Sequence, residues 1–137
     1  LAITERVDNF AKVMLVGGGG FIGANVRYWL GGFIQSRTGT TFPWGTFAIN
    51  ISGALVIGLF LGLLISLNWS PNWRLFVAFG ILGGYTTFSS FAYEAVQLLT
   101  QREYGWALFY IEGSALLTVL AAWGGLVLSR LMLGGKA

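Results

Sequence analysis

The side chains that could do chemistry in this 137-residue chain are almost all uncharged. Histidine and cysteine are absent, which removes imidazole acid–base catalysis, thiol chemistry, disulfides and the usual zinc sites. Hydroxyls, one amide and a ring pair take their place, all at helical spacing. Tyr110, Ser114 and Thr118 follow one another every fourth residue. At about 100° per residue each step drifts only about 40°, so the three hydroxyls form one stripe. Thr46 and Asn50 are also four apart and share a helix face. Thr87, Ser90 and Glu94 fall within about 60° of one another, with Phe88 and Phe91 on the adjacent face.

Each of these groups has a plain structural reading beside a functional one. A hydroxyl can bond the carbonyl one turn back, an amide can bridge two helices, and a phenylalanine pair can simply be core. Read functionally, Asn50 and the hydroxyl stripe are neutral donors aimed at a passing anion. Arg27 can snorkel to the headgroups or face a polar route. Glu112 lies about 160° from Ser114 around the helix and so stands outside the stripe; protonation, a boundary position and a neighbouring helix all remain open for it. The run Gly83-Gly84-Tyr85-Thr86-Thr87 predicts a helix break. Each glycine costs roughly 1 kcal/mol relative to alanine, and the β-branched threonines add to that. Carbonyls freed at membrane depth need partners, and a cation is one.

The elements that must position these groups are membrane helices. The chain is 55% hydrophobic and only 9% charged, where soluble domains carry roughly 25% charged residues. Disorder needs the opposite composition. A net charge of +3, scattered along the chain, does not point to nucleic acid. No charge occurs from Thr38 to Trp73, from Leu75 to Tyr93 or from Gly113 to Ser129. With about 20 apolar residues needed per crossing, four spans are predicted at roughly 12–34, 45–67, 75–100 and 104–132. They are helices, because lipid cannot satisfy an open strand. Pro43 stands at the start of the second span, and Trp29, Trp44, Trp69, Trp73, Tyr104 and Trp106 lie near span ends as interfacial anchors. The stretch before Lys12 carries both signs and is expected to form a short surface helix. A cleaved signal peptide is not expected, since more hydrophobic chain follows the first span. No second domain or linker is expected.

Four spans put both termini on one side. Arg6, Lys12, Arg74, Arg130 and Lys136 lie there, against Arg37 and Arg102 on the other, a modest bias under the positive-inside rule. One fixed orientation is the plain reading, and insertion both ways is the alternative. Four short helices enclose little aqueous path, so an oligomer is expected. Gly58 with Gly62, Gly20 with Ala24, and Gly124-Gly125 are small-residue contacts that could serve one bundle or join two.

The whole chain resembles the Fluc (CrcB) family of fluoride channels. The resemblance is carried by Gly20-Phe21-Ile22-Gly23-Ala24 through Arg27-Tyr28, by Gly45-Thr46-Phe47 through Asn50 and Gly53, and above all by Gly83-Gly84-Tyr85-Thr86-Thr87-Phe88-Ser89-Ser90-Phe91. Ser90 is a small departure, since the family pattern more often has threonine there. The resemblance implies an all-α integral membrane protein with four transmembrane helices per chain, the third broken, in an antiparallel dual-topology homodimer. It implies passive fluoride export through two pores across the bacterial inner or plasma membrane, with a structural sodium ion at the centre. By position, Phe88 and Phe91 line the pores, Asn50 donates towards fluoride, and Tyr110, Ser114 and Thr118 form a polar track. Ser90 belongs with the pore residues, Glu94 stands near a vestibule, the Gly83 and Thr86 carbonyls hold the sodium, and Arg27 is structural or vestibular. Fluoride is small and strongly hydrated, so amide and hydroxyl donors can replace its water without a fixed charge that would trap it. Ring edges add positive quadrupole potential.

Two rivals are kept. A small proton-coupled multidrug exporter wants a membrane-embedded carboxylate in its first span, and this chain has none between Lys12 and Gln35. A non-transporting assembly subunit would pass no fluoride. An enzyme is not expected, because no Walker-type loop, metal cluster or nucleophile–base pair occurs.

Overall fold

Helix is the only regular structure among the described residues, as apolar runs without strand periodicity dictate. The computed structural model describes residues 2–134, with side chains from residue 8 onward; Arg6 and Lys136, which entered the charge comparison, have side chains outside that description. Five helical segments occur among the described residues. The first, α1, is Ala2–Thr38 and α2 is Trp44–Ser66. A composite helix over 71–85, here α3, joins an α turn Pro71–Trp73, a π-helical stretch Arg74–Leu82 and a closing turn Gly83–Tyr85. Then come α4, Phe88–Thr100, and α5, Tyr104–Met132. Among the described residues, three stretches are long and apolar enough to cross a membrane: Trp44–Ser66, Pro71–Thr100 and Tyr104–Met132.

One expectation is corrected at the amino end. The stretch before Lys12 is not a separate surface helix but the continuous first turns of α1, and Asp8 pairs with Lys12 one turn on. That spacing, acid before base at i and i+4, supports a helix and offers no reason to interrupt it. The helix does stop at Gly39, whose φ of +60° turns the chain. Gln35 ties the turn down. Its Nε2 donates to Thr40 O and Phe42 O at 3.2 and 3.1 Å, and its Oε1 accepts from Gly45 N at 3.1 Å.

Phe42, two residues before α2 begins, is fully buried. Its ring centroid lies 4.5–5.6 Å from those of Trp44, Phe47, Trp106, Phe109 and Tyr110. This aromatic cluster holds the α1–α2 connection against the start of α5. Elsewhere the bundle closes through small residues. A side chain at Gly58 or Gly125 would overlap facing backbone (Ala122 and Leu55), and one at Gly62 would overlap Ser129, so α2 and α5 pack at backbone distance. Gly19, Gly23 and Gly84 do the same between α1 and α3. Most of the small-residue contacts therefore serve packing within one chain. Gly20 and Gly124 have open space where a Cβ would stand.

Candidate functional site

The site is organised by an interruption between α3 and α4. Helical geometry stops at Tyr85; Thr86 (φ −82°, ψ 156°) and Thr87 (φ −149°, ψ 119°) are extended, and helix resumes at Phe88. Three sets of bonds hold this shape. Thr86 turns back on α3, its N–H and hydroxyl both donating to Leu82 O at 3.0 and 2.9 Å. Thr87 Oγ1 accepts from Ser90 N at 3.2 Å and so caps α4, while donating to Ser90 Oγ at 3.0 Å. Asn50, across on α2, pairs with the Thr87 peptide groups at both ends. Its Oδ1 accepts from Thr87 N at 2.8 Å, and its Nδ2 donates to Thr87 O at 3.0 Å. Asn50 is thus a bridge between two helices, and one N–H of its amide is left over.

On one side of the interruption is a cavity of about 390 Å³ bordered by Asn50, Thr86, Phe88, Phe91, Ser114 and Thr118. Phe88 and Phe91 stand with ring centroids 5.5 Å apart. Phe88 is 80% exposed, at the open flank, whereas Phe91 leans on Tyr110 at 5.0 Å. Thr118 satisfies itself by donating to Ser114 O at 2.6 Å. Ser114 does not: its Oγ is the one buried side-chain polar atom among the described residues with no hydrogen-bond partner. An orphan of this kind costs about 1–3 kcal/mol. The Gly83 backbone also borders this cavity.

On the other side lies a larger, more polar cavity of about 660 Å³, bordered by Arg27, Gln35, Thr46, Ser90, Glu94 and Gln101. Thr87 borders both. The two faces of α4 read from spacing therefore look into different spaces, the hydroxyl–carboxylate face into this one and the ring pair into the first. Glu94 is fastened at both oxygens: Oε1 accepts from Thr46 Oγ1 at 2.8 Å and Oε2 from the Tyr110 hydroxyl at 2.7 Å. Arg27 makes no ion pair among the described residues.

The stripe of three hydroxyls is divided by this arrangement. Ser114 and Thr118 border the smaller cavity, but Tyr110 is fully buried and borders neither. Its ring belongs to the Phe42 cluster, and its hydroxyl is taken by Glu94. Glu112 is exposed on α5. The Thr46–Glu94–Tyr110 link joins residues 16 and 48 apart in the chain, so no local pattern announces it. The cap at Thr87 had a local signal, a threonine three residues before Ser90 at a helix start. Among the described residues there is no group of three His, Cys, Asp or Glu side chains able to hold a metal. Backbone carbonyls are hard oxygens, which suit alkali and alkaline-earth cations rather than zinc or copper.

Residues 14–126 match the family described as CrcB-like protein, Camphor Resistance (CrcB). The chain belongs to the CrcB family. It is 44% identical over 120 residues to a protein of Acidobacterium capsulatum named Fluoride-specific ion channel FluC, covering 87% of this chain and 96% of the relative. It is 48% identical over 110 residues to Fluoride-specific ion channel FluC 3 of Brucella suis, covering 78% and 83%. With the Fluoride-specific ion channel FluC of Thermus thermophilus the identity is 43% over 123 residues, covering 90% and 97%. Both cavities fall wholly within the stretch matched to the CrcB family.

Proposed function

We infer that this chain is a fluoride channel, a multi-pass protein of a bacterial membrane and not an enzyme. The observation that carries the reading is the smaller cavity, where the buried, unpartnered Ser114 hydroxyl and the spare Asn50 N–H stand beside a phenylalanine pair. Neutral donors and ring edges are what a small anion needs once its water is stripped. A cationic side chain there would hold the ion; hydroxyl and amide groups let it leave. Thr118, whose proton is already given to Ser114 O, contributes by fixing its helix turn. Phe88 and Phe91 exclude bulk water and present their edges.

The larger cavity serves as the antechamber. Arg27 raises the local positive potential and draws anions in, while Glu94, held by Thr46 and Tyr110, and Ser90 form its inner wall. Flow is passive. A negative interior favours anion exit by about 2.3 kcal/mol per charge per 100 mV, which suits protection against accumulated fluoride.

The finer architecture belongs to the same proposal. The glycine-rich α1 crosses the membrane as a fourth span, the span over 71–100 is broken within it, and two copies pair antiparallel with two pores. The bias of positive charge is only modest and so fits insertion both ways, and the exposed Phe88 at an open flank supports a second copy closing the cavity. A structural sodium between the copies is held by the Gly83 and Thr86 carbonyls. The donor set fits: both residues sit at the carboxyl end of a helix, and the Thr87 amide that would occupy Gly83 O is given to Asn50. Bound there, the ion supplies fixed positive potential.

Fluoride efflux from liposomes containing the purified protein tests the function. Release without a proton gradient is expected. Proton-dependent export of an organic cation, or no fluoride movement at all, would return the reading to one of the rivals.

A further inference from the structure

Among the described residues Asn50 is the only side chain that reaches the peptide groups of Thr87 from another helix, and it reaches both of them. In an uninterrupted helix the Thr87 N–H would close on Gly83 O four residues back. Here it closes on Asn50 Oδ1 at 2.8 Å, and the Thr87 carbonyl, which as the N-cap C=O already begins the bonding of α4, also accepts from Nδ2 at 3.0 Å. A carboxamide has one acceptor and two donors, so it can do for this residue what a neighbouring strand does in a sheet. The backbone agrees, since Thr87 has strand dihedrals. Ser52 and Tyr85 add a second tie two residues along α2, their hydroxyls 2.9 Å apart, so α2 holds both the last residue of α3 and the interruption itself.

Glycine pairs and β-branched threonines weaken a helix without fixing where it opens. Two good hydrogen bonds from a rigid neighbouring helix do fix it. We propose that Asn50 is a positioning residue for the cation site, its carboxamide pairing with the Thr87 peptide groups to hold the helix open and leave the Gly83 carbonyl free to bind. The inference rests on the proposed sodium site, and it assigns Asn50 a task separate from donating to fluoride. Its spare N–H can serve the anion while the other N–H and the carbonyl hold the backbone.

The test compares Asn50→Ala, which removes both bonds, with Asn50→Asp, which keeps an acceptor for the Thr87 N–H. The purified proteins are unfolded by heat in sodium chloride and in N-methylglucamine chloride. The wild-type midpoint is expected to rise in sodium, the alanine variant to lose that rise, and the aspartate variant to keep part of it whether or not fluoride still passes. A full sodium-dependent rise in Asn50→Ala overturns the proposal. If alanine does not fold, a folded Asn50→Asp protein without the rise overturns it equally. If the wild type itself shows no response to sodium, the sodium reading fails, and a high-resolution structure of either variant decides the positioning role alone. Thr87 N within bonding distance of Gly83 O in Asn50→Ala, or Thr87 N still on the side-chain oxygen in Asn50→Asp, supports it; Thr87 still extended in the alanine variant, or released in the aspartate variant, refutes it.

Discussion

Replacing Ser114 with alanine separates two roles that a buried hydroxyl can have. A structural hydroxyl bonds something in the resting protein, and its loss destabilises. Ser114 Oγ bonds nothing among the described residues although the residue is only 7% exposed. Alanine therefore removes an orphan whose burial costs about 1–3 kcal/mol, and thermal stability should hold steady or rise. Flux should move the other way. A hydrogen bond to a charged partner is worth about 1.5–3 kcal/mol net, and each 1.36 kcal/mol of barrier is about tenfold in rate. Because Asn50 and the rings share the load, the lower end applies, and fluoride efflux should fall about tenfold. Ser114→Cys or Ser114→Thr, if tolerated sterically, should rank by donor strength. The assay is initial efflux from liposomes at matched protein density, with thermal midpoints measured on the same preparations. A variant that loses stability yet conducts normally would refute the reasoning, since the hydroxyl would then be a packing element and not a donor to the ion.

Three further outcomes follow from the geometry. Phe88→Ile and Phe91→Ile keep apolar bulk but remove ring edges worth about 0.5–1.5 kcal/mol, so each should cut efflux several-fold to about tenfold without loss of assembly; unchanged efflux in both returns the pair to plain core. Tyr110→Phe leaves the ring in the Phe42 cluster and strips one bond from Glu94, so unfolding should be easier by about 1–3 kcal/mol, and an unshifted denaturation curve would deny that link any energetic weight. Gly125→Val drives a branched side chain into the Leu55 and Leu59 backbone and should destabilise by about 1–3 kcal/mol or more, while Gly124→Val next to it meets open space and should be mild; equal effects would contradict the α2–α5 packing.

Periodicity and charge gaps made the apolar helices legible, because both are local properties. The helices Trp44–Ser66 and Tyr104–Met132 lie within a residue of the predicted 45–67 and 104–132 spans. The interruption near Thr86 was also visible, since glycine and β-branched residues act on their own backbone. What closes that interruption was not. Asn50 and Thr87 are 37 residues apart, and spacing can say that an amide shares a face with Thr46 but not which peptide group faces it. Tyr110 shows the same limit from another side. Its four-residue spacing to Ser114 is real, yet the ring is drawn into a cluster centred on Phe42, a residue that helical periodicity had no reason to bury. At the start of α1 the Asp8–Lys12 pair suits continuous helix, and charges of both signs do not by themselves mark a break.

Current measured across a bilayer holding the protein tests the central claim most directly, that uncharged donors and ring edges pass fluoride without coupling it to anything else. With fluoride gradients imposed at equal pH, the account predicts a reversal potential that moves about 59 mV for each tenfold ratio and does not shift when a pH gradient is added. A reversal potential that follows the proton gradient, or no fluoride current at all, would contradict it.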